Sequence, residues 1–168
     1  MNKLKGEIIH GDAAYISSRV KELAQVESAR KKLIGMRLGV IGAPSDWLIS
    51  SIASPVAVKQ KLGIEIVNIA IDEVVDAYNA IADTPSDCAT LAEKATTKAT
   101  KEAVPGAVKL YYALKEVATR HRLNGFTIRC FDLLGVVRNT SCYALARLNA
   151  EGIVAGCEGD IPTLLTMM

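Results

Sequence analysis

The sequence lacks an excess of charge of either sign. Its 168 residues include 20 Lys and Arg against 18 Asp and Glu, which gives a formal net charge of +2. A balance this close to neutrality produces no long-range field that would attract a polyanion. Nucleic acid and membrane surfaces are therefore not expected partners.

Long apolar runs are also missing. Half of the residues are apolar, but they are spread along the chain, and no segment approaches the roughly 20 uninterrupted apolar residues of a membrane span. The first dozen residues contain neither the apolar stretch nor the small-residue cleavage site of a secretory signal. These absences predict a soluble protein, with the cytoplasm as its default location.

Cysteine is scarce and lacks functional spacing. None of the four cysteines forms a C-x-x-C pair, the spacing typical of zinc knuckles and redox motifs. We therefore expect them to be small, buried apolar residues in a reducing compartment, with no disulfide and no metal. Walker loops and G-x-G-x-x-G motifs are absent as well.

What the sequence does contain is an alternation of short β-branched runs and longer segments with helical periodicity. This pattern predicts an α/β fold: a three-layer, mainly parallel open sheet of about four strands, flavodoxin-like or Rossmann-like in style. The predicted strands are 37–41, 64–71, 126–130 and 153–157. The predicted helices are 12–33, 72–82, 86–100, 105–122, 141–150 and 160–168.

The length suits one core, and so one domain. Residues 1–35 are predicted as a leading helical segment and residues 36–168 as the α/β domain. The last helix has no Gly, Asn or basic final turn, so the domain is expected to be truncated at Met168. Ser45 or Asp46 is predicted to cap the helix after the first strand.

Candidate functional residues follow the predicted strands, because ligands of open parallel sheets bind beyond the carboxyl ends of the strands. Arg129, at the end of the third strand, either binds a sugar or phosphate oxygen or pairs with Asp132. Trp47, the only tryptophan, either stacks on a sugar ring or packs at a helix start. Glu158 and Asp160 follow the fourth strand, where simpler roles are an exposed loop acid and a helix N-cap.

The last quarter of the chain resembles the L-fucose isomerase-like proteins. The segments that carry this resemblance are IRCFD (128–132), CYALARLN (142–149), EGI (151–153), AGCEGD (155–160) and LLTM (164–167). The resemblance implies an enzyme that interconverts aldoses and ketoses with a divalent cation, usually manganese. It also implies a homo-oligomeric parent protein with a sugar substrate.

Carried over to this sequence, the resemblance makes Asp160 a metal ligand and Glu158 the acid beside it. The family's catalytic Glu has no counterpart, because no carboxylate lies between Glu116 and Asp132. Arg129 and Asp132 are the nearest candidates for a catalytic role. The family's histidine ligand comes from a later domain, so the metal site is expected to be incomplete and the chain alone inactive. The alternative is a non-catalytic sugar-binding or assembly domain.

Overall fold

The computed structural model describes residues 6–49, 52–83 and 85–168. The strands are β1 (Arg37–Ile41), β2 (Glu65–Ile69), β3 (Gly125–Ile128) and β4 (Val154–Cys157). The helices are α1 (Ala13–Leu33), α2 (Pro55–Leu62), α3 (Ile71–Ala80), α4 (Cys88–Glu93), α5 (Lys98–Arg120), α6 (Leu134–Val137), α7 (Cys142–Ala150) and α8 (Ile161–Met167). A 3₁₀ turn, Cys130–Leu133, precedes α6.

The four strands form one open, fully parallel sheet with the order β2-β1-β3-β4, which confirms the predicted α/β fold. The central strands β1 and β3 are almost entirely buried, as continuous apolar strands are when helices cover both faces. The strand order reverses between β1 and β3, and this reversal marks the place where open α/β sheets leave a crevice for a ligand.

Helices cover both faces of the sheet. On one face, α3, α5 and α7 form the larger core with strand residues such as Ile41 and Phe126. On the other face, Val58 of α2 and Leu164 of α8 pack with Leu38 of β1. Alternate residues of a strand point to opposite faces, so Leu38 and Ile41 of the same strand belong to different cores.

The first helix begins where the sequence predicts, and the Asp12 carboxylate caps it by accepting a hydrogen bond from the Tyr15 backbone N–H at 2.8 Å. None of the residues of α1 is buried. Val20 and Val26, part of its apolar pattern, are more than half exposed. Of the apolar side chains of α1, Leu33 packs against the core around Leu38, and none is fully buried.

The helix predicted to start at Pro105 is in fact part of α5, which begins at Lys98 and carries Pro105 in its interior. A proline there costs about 3 kcal/mol through a lost hydrogen bond and a steric clash. Burial offsets this cost, because Val104 precedes the proline, Val108 follows it, and both lie in the core. Despite the length of α1 and α5, no helix within the described ranges is apolar enough over a sufficient length to cross a bilayer.

The predicted cap of the helix after β1 is wrong. The chain runs from Gly42 through a turn, and α2 begins only at Pro55, where the Ser54 hydroxyl accepts a hydrogen bond from the backbone N–H of Ala57. Ser54 followed by proline is a strong helix start, because proline has no N–H to leave unpaired at the first position. Ser45 and Asp46 do not cap this helix and instead contact Glu158 and Arg129.

Candidate functional site

The loop after β1 rests against the turn after β4. The Ser45 backbone N–H donates to the Glu158 carbonyl at 2.9 Å, and the Ser45 hydroxyl donates to Glu158 Oε2 at 2.6 Å. Ser45 is buried. Glu158 is therefore a fixed carboxylate at the sheet edge, and the prediction of an exposed loop acid is wrong.

Glycine at position 159 allows this close approach. Gly159 has φ +68°, and a Cβ on it would lie 2.5 Å from the Ala43 carbonyl oxygen and 2.7 Å from Pro44 Cα. A side chain at this position would push the loop after β1 away from the turn after β4. Glycine at this position thus permits the Ser45 contacts that join the two loops.

Arg129 follows β3 and lies between two carboxylates. Its terminal nitrogens contact the two oxygens of Asp46 at 3.3 and 3.1 Å, and its Nε lies 3.1 Å from Asp132 Oδ1. The contact with Asp132 is an ion pair without hydrogen-bond alignment, since Nε has no hydrogen-bond partner. The hydrogen bonds that the Arg129 guanidinium donates to Asp46 raise its pKa. The predicted pair with Asp132 exists, and Asp46 is a second partner.

An aromatic pair lies beside this guanidinium. The rings of Trp47 and Phe131 are 6.0 Å apart, centroid to centroid, at 41°, and the Arg129 guanidinium carbon lies 5.5 Å from the Trp47 ring. Trp47 is 56% exposed and Phe131 50%. We call these two rings the aromatic patch. Trp47 does not pack at a helix start, and Phe131 is a candidate that the sequence analysis did not single out.

Asp160 is the N-cap of α8, as predicted for its simpler role. Its Oδ1 accepts a hydrogen bond from the Thr163 backbone N–H at 3.0 Å, and its Oδ2 accepts one from the Thr163 hydroxyl at 2.7 Å. In the part of the chain that the structure describes, Asp160 belongs to no group of three converging metal-ligating side chains. Capping accounts for both carboxylate oxygens without a metal.

Three other side chains do converge at this edge. Cys130, Cys157 and Glu158 each offer one ligand atom, and these atoms lie within 4.8 Å of one another. The prediction that the cysteines are buried holds for Cys88 and Cys130, but Cys142 is exposed and Cys157 half-buried. No sequence motif marks this cluster, because its cysteines are 27 positions apart and lie at the ends of different strands.

The two histidines lie away from this site. His121 ends α5, before β3 begins, and its Nε2 lies 2.7 Å from Glu73 Oε2. Its backbone carbonyl accepts a hydrogen bond from Arg37 at the start of β1, so His121 belongs to the amino-terminal side of the strands. His10 precedes α1 and is exposed. Neither supplies a nitrogen ligand near Asp160 or Glu158.

Comparison with known proteins adds no assignment: no protein-family model matches the chain, and no curated protein shows significant similarity to it.

Proposed function

We propose that this chain binds a sugar at the carboxyl edge of its sheet, as one domain of a cytoplasmic, homo-oligomeric aldose–ketose isomerase of the L-fucose isomerase type. The observation that carries the sugar-binding part of the proposal is the aromatic patch beside Arg129. It lies where the loops after β1 and β3 meet, at the reversal of strand order. The isomerase part depends on the resemblance in the last quarter of the sequence.

The aromatic patch and its neighbours offer the two kinds of contact that a sugar requires. The C–H face of a pyranose ring is apolar and packs on exposed aromatic rings, while its hydroxyls need fixed donors and acceptors. Arg129 is held by Asp46 and Asp132, so it is already oriented when a ligand arrives. The Asp46 side chain is 83% exposed, which leaves carboxylate lone pairs free to accept from sugar hydroxyls.

The described residues offer few ligands for the manganese ion that the resemblance implies. A manganese ion prefers several oxygen and nitrogen ligands, whereas the Asp160 oxygens both cap α8 and Glu158 Oε2 binds Ser45. The nearest converging group contains two sulfurs instead. The described residues do not form a manganese site by themselves. In this proposal Asp160 is one ligand of a manganese site completed by residues outside the described ones, and Glu158 stays bound to Ser45.

A non-catalytic sugar-binding relative is the second candidate, and a specific observation favours it. Proton transfer between neighbouring carbons needs an acid or base within reach of the sugar. Asp46 and Asp132, which lie beside the aromatic patch, each form an ion pair with Arg129, so neither carboxylate is unpaired. We therefore expect no aldose-to-ketose conversion by this chain alone, with or without added manganese.

The experiment that tests sugar binding uses Trp47 as its probe, because it is the only tryptophan and belongs to the aromatic patch. L-fucose and L-arabinose are titrated into the full chain while tryptophan fluorescence is recorded, with glycerol as a polyol control. We expect a saturable change with a Kd of about 1 mM, equivalent to roughly −4 kcal/mol. Glycerol has no ring to stack and should change the signal only linearly.

Three variants locate the response. Phe131→Ala keeps the Trp47 reporter and should weaken binding at least tenfold, and Arg129→Lys should weaken it because lysine cannot replace a bidentate guanidinium. Tyr15→Ala removes an exposed aromatic residue of α1 and should bind as the wild type does. Equal responses from wild type and Phe131→Ala, or no saturable response to either sugar, would refute sugar binding at this patch.

A further inference from the structure

Two thiols meet at the carboxyl edge of the sheet because their strands are neighbours. Cys157 is the last residue of β4 and is paired in register with Ile128, the last residue of β3. Two positions after Ile128, Cys130 opens the 3₁₀ turn. The two sulfurs are 2.9 Å apart. Neither cysteine is in a disulfide, and either thiol can donate the hydrogen bond that joins them.

Glu158 adds a carboxylate to the pair, and the structure fixes its position. Its φ is +66°, a left-handed conformation in which a non-glycine residue is uncommon. The bond from Ser45 holds Oε2, and Oε1 is left facing the Cys157 sulfur at 4.0 Å. The Cys157 thiol is only a weak hydrogen-bond donor to this oxygen, so Oε1 remains available to a metal ion.

A buried hydroxyl, that of Ser141, lies next to the Cys130 thiol. Ser141 is fully buried, and its Oγ has no hydrogen-bond partner among the described residues. Ser141 directly precedes α7 and lies close to the Cys130 side chain. Buried polar atoms are almost always paired, so the Ser141 hydroxyl is available as a hydrogen-bond donor to a metal-bound Cys130 sulfur.

We propose that Cys130, Cys157 and Glu158 bind one thiophilic divalent cation of the zinc class. Zinc accepts sulfur and carboxylate ligands at about 2.3 and 2.0–2.2 Å in a tetrahedral arrangement, which places two sulfurs roughly 3.8 Å apart. The thiols therefore move apart by about 0.9 Å on binding. Three protein ligands leave the fourth position to water or to an exogenous ligand.

The proton balance follows from the ligand set. Both thiols lose their protons to solvent when the two S–Zn bonds form, so each ion bound releases two protons. A disulfide between Cys130 and Cys157 would make no use of Glu158, whereas a metal ion would use all three side chains. This arrangement favours a metal site over a redox pair.

The test measures metal binding by the full chain kept reduced with a phosphine that does not chelate metal. Zinc is titrated by calorimetry in two buffers of different ionisation enthalpy, and cadmium is titrated by its thiolate-to-metal charge-transfer absorption. We expect one ion per chain, about two protons released and a charge-transfer band. Cys157→Ser should weaken binding by at least about 100-fold and Glu158→Gln by at least about tenfold, since even outer-shell partners contribute 10- to 100-fold.

Two matched variants remove thiols outside the cluster. Cys88 lies in a separate core with Val104 and Val108, and Cys142 is exposed, so Cys88→Ala and Cys142→Ser should bind zinc as the wild type does. Cys130 is buried, and its substitution can destabilise the fold, so Cys157→Ser and Glu158→Gln carry the test.

Three results would overturn the proposal. They are no charge-transfer band in the reduced wild type, a band unchanged by Cys157→Ser, and formation of a Cys130–Cys157 disulfide in air by a protein that binds no metal when reduced. The Trp47 sugar titration should be the same in Cys157→Ser as in the wild type, so failure of metal binding and failure of sugar binding are distinguishable.

Discussion

Substitution of Asp160 separates its capping role from its charge. Asp160→Ala removes both hydrogen bonds to Thr163, at 3.0 and 2.7 Å, and leaves the first turn of α8 without a side-chain acceptor. Loss of such a cap costs about 1 kcal/mol and at most about 2 kcal/mol. Leu164 is fully buried in the core against Leu38 and Val58, so α8 stays docked and the cost is confined to the cap. Asp160→Asn and Asp160→Ser retain an acceptor and should cost at most about 0.5 kcal/mol.

Urea unfolding followed by circular dichroism measures this difference. For a domain of this size the urea m-value is about 2 kcal/mol/M, so Asp160→Ala should lower the midpoint by roughly 0.5 M. An Asp160→Ala midpoint equal to that of the wild type would refute the capping argument. So would an Asn variant as unstable as the Ala variant, because the charge and not the acceptor would then be the stabilising feature.

The Asp160→Asn variant also tests whether Asp160 binds manganese. Because the described residues do not complete a manganese site, calorimetric titration should show no difference between the wild type and Asp160→Asn. Manganese binding that is present in the wild type and lost in the Asn variant, at unchanged stability, would show that the chain holds a sufficient site.

Three further predictions concern stability. Gly159→Ala should lower the free energy of unfolding by more than about 2 kcal/mol, because its Cβ would lie 2.5 Å from a backbone oxygen. Gly152→Ala, which has φ +85° but open space around it, should lower the free energy of unfolding by only about 1 kcal/mol. Equal losses of stability in thermal melts of the two variants would contradict this. The Lys115 ammonium holds the pKa of Glu151 below its usual 4.5, so the stabilisation from the Glu151 carboxylate is present above that pH and lost as the pH falls below it. Glu151→Gln should flatten the acid side of a stability–pH profile, and an unchanged acid side would refute the assignment. Leu164→Ala should cost about 2–5 kcal/mol in urea unfolding, and a loss below about 1 kcal/mol would show that α8 is not part of the core.

The strands were predictable because their signal is local. Each of the four predicted runs overlaps an observed strand, with differences of up to two residues at the ends, because runs of β-branched and aliphatic residues are visible in the sequence itself. The Asp160 cap was predictable for the same reason, because a carboxylate and its N–H partner three residues later need only the geometry of one helical turn. The prediction that a helix starts at Pro105 was wrong, because burial of Val104 and Val108 outweighs the free-energy cost of a proline inside α5.

The sequence by itself determined the α/β class, the positions of the strands and the edge at which polar side chains gather, since these depend on hydrophobic period and on parallel strand direction. Only the tertiary structure decided which of those side chains touch. Ser45 and Glu158 are 113 positions apart, and the rings of Trp47 and Phe131 come from loops after different strands. Such pairs depend on which strands are neighbours and on how far each loop folds back. The pair of Cys130 and Cys157 arises in the same way, because the strand order places β3 beside β4 and pairs Cys157 with Ile128, two residues before Cys130.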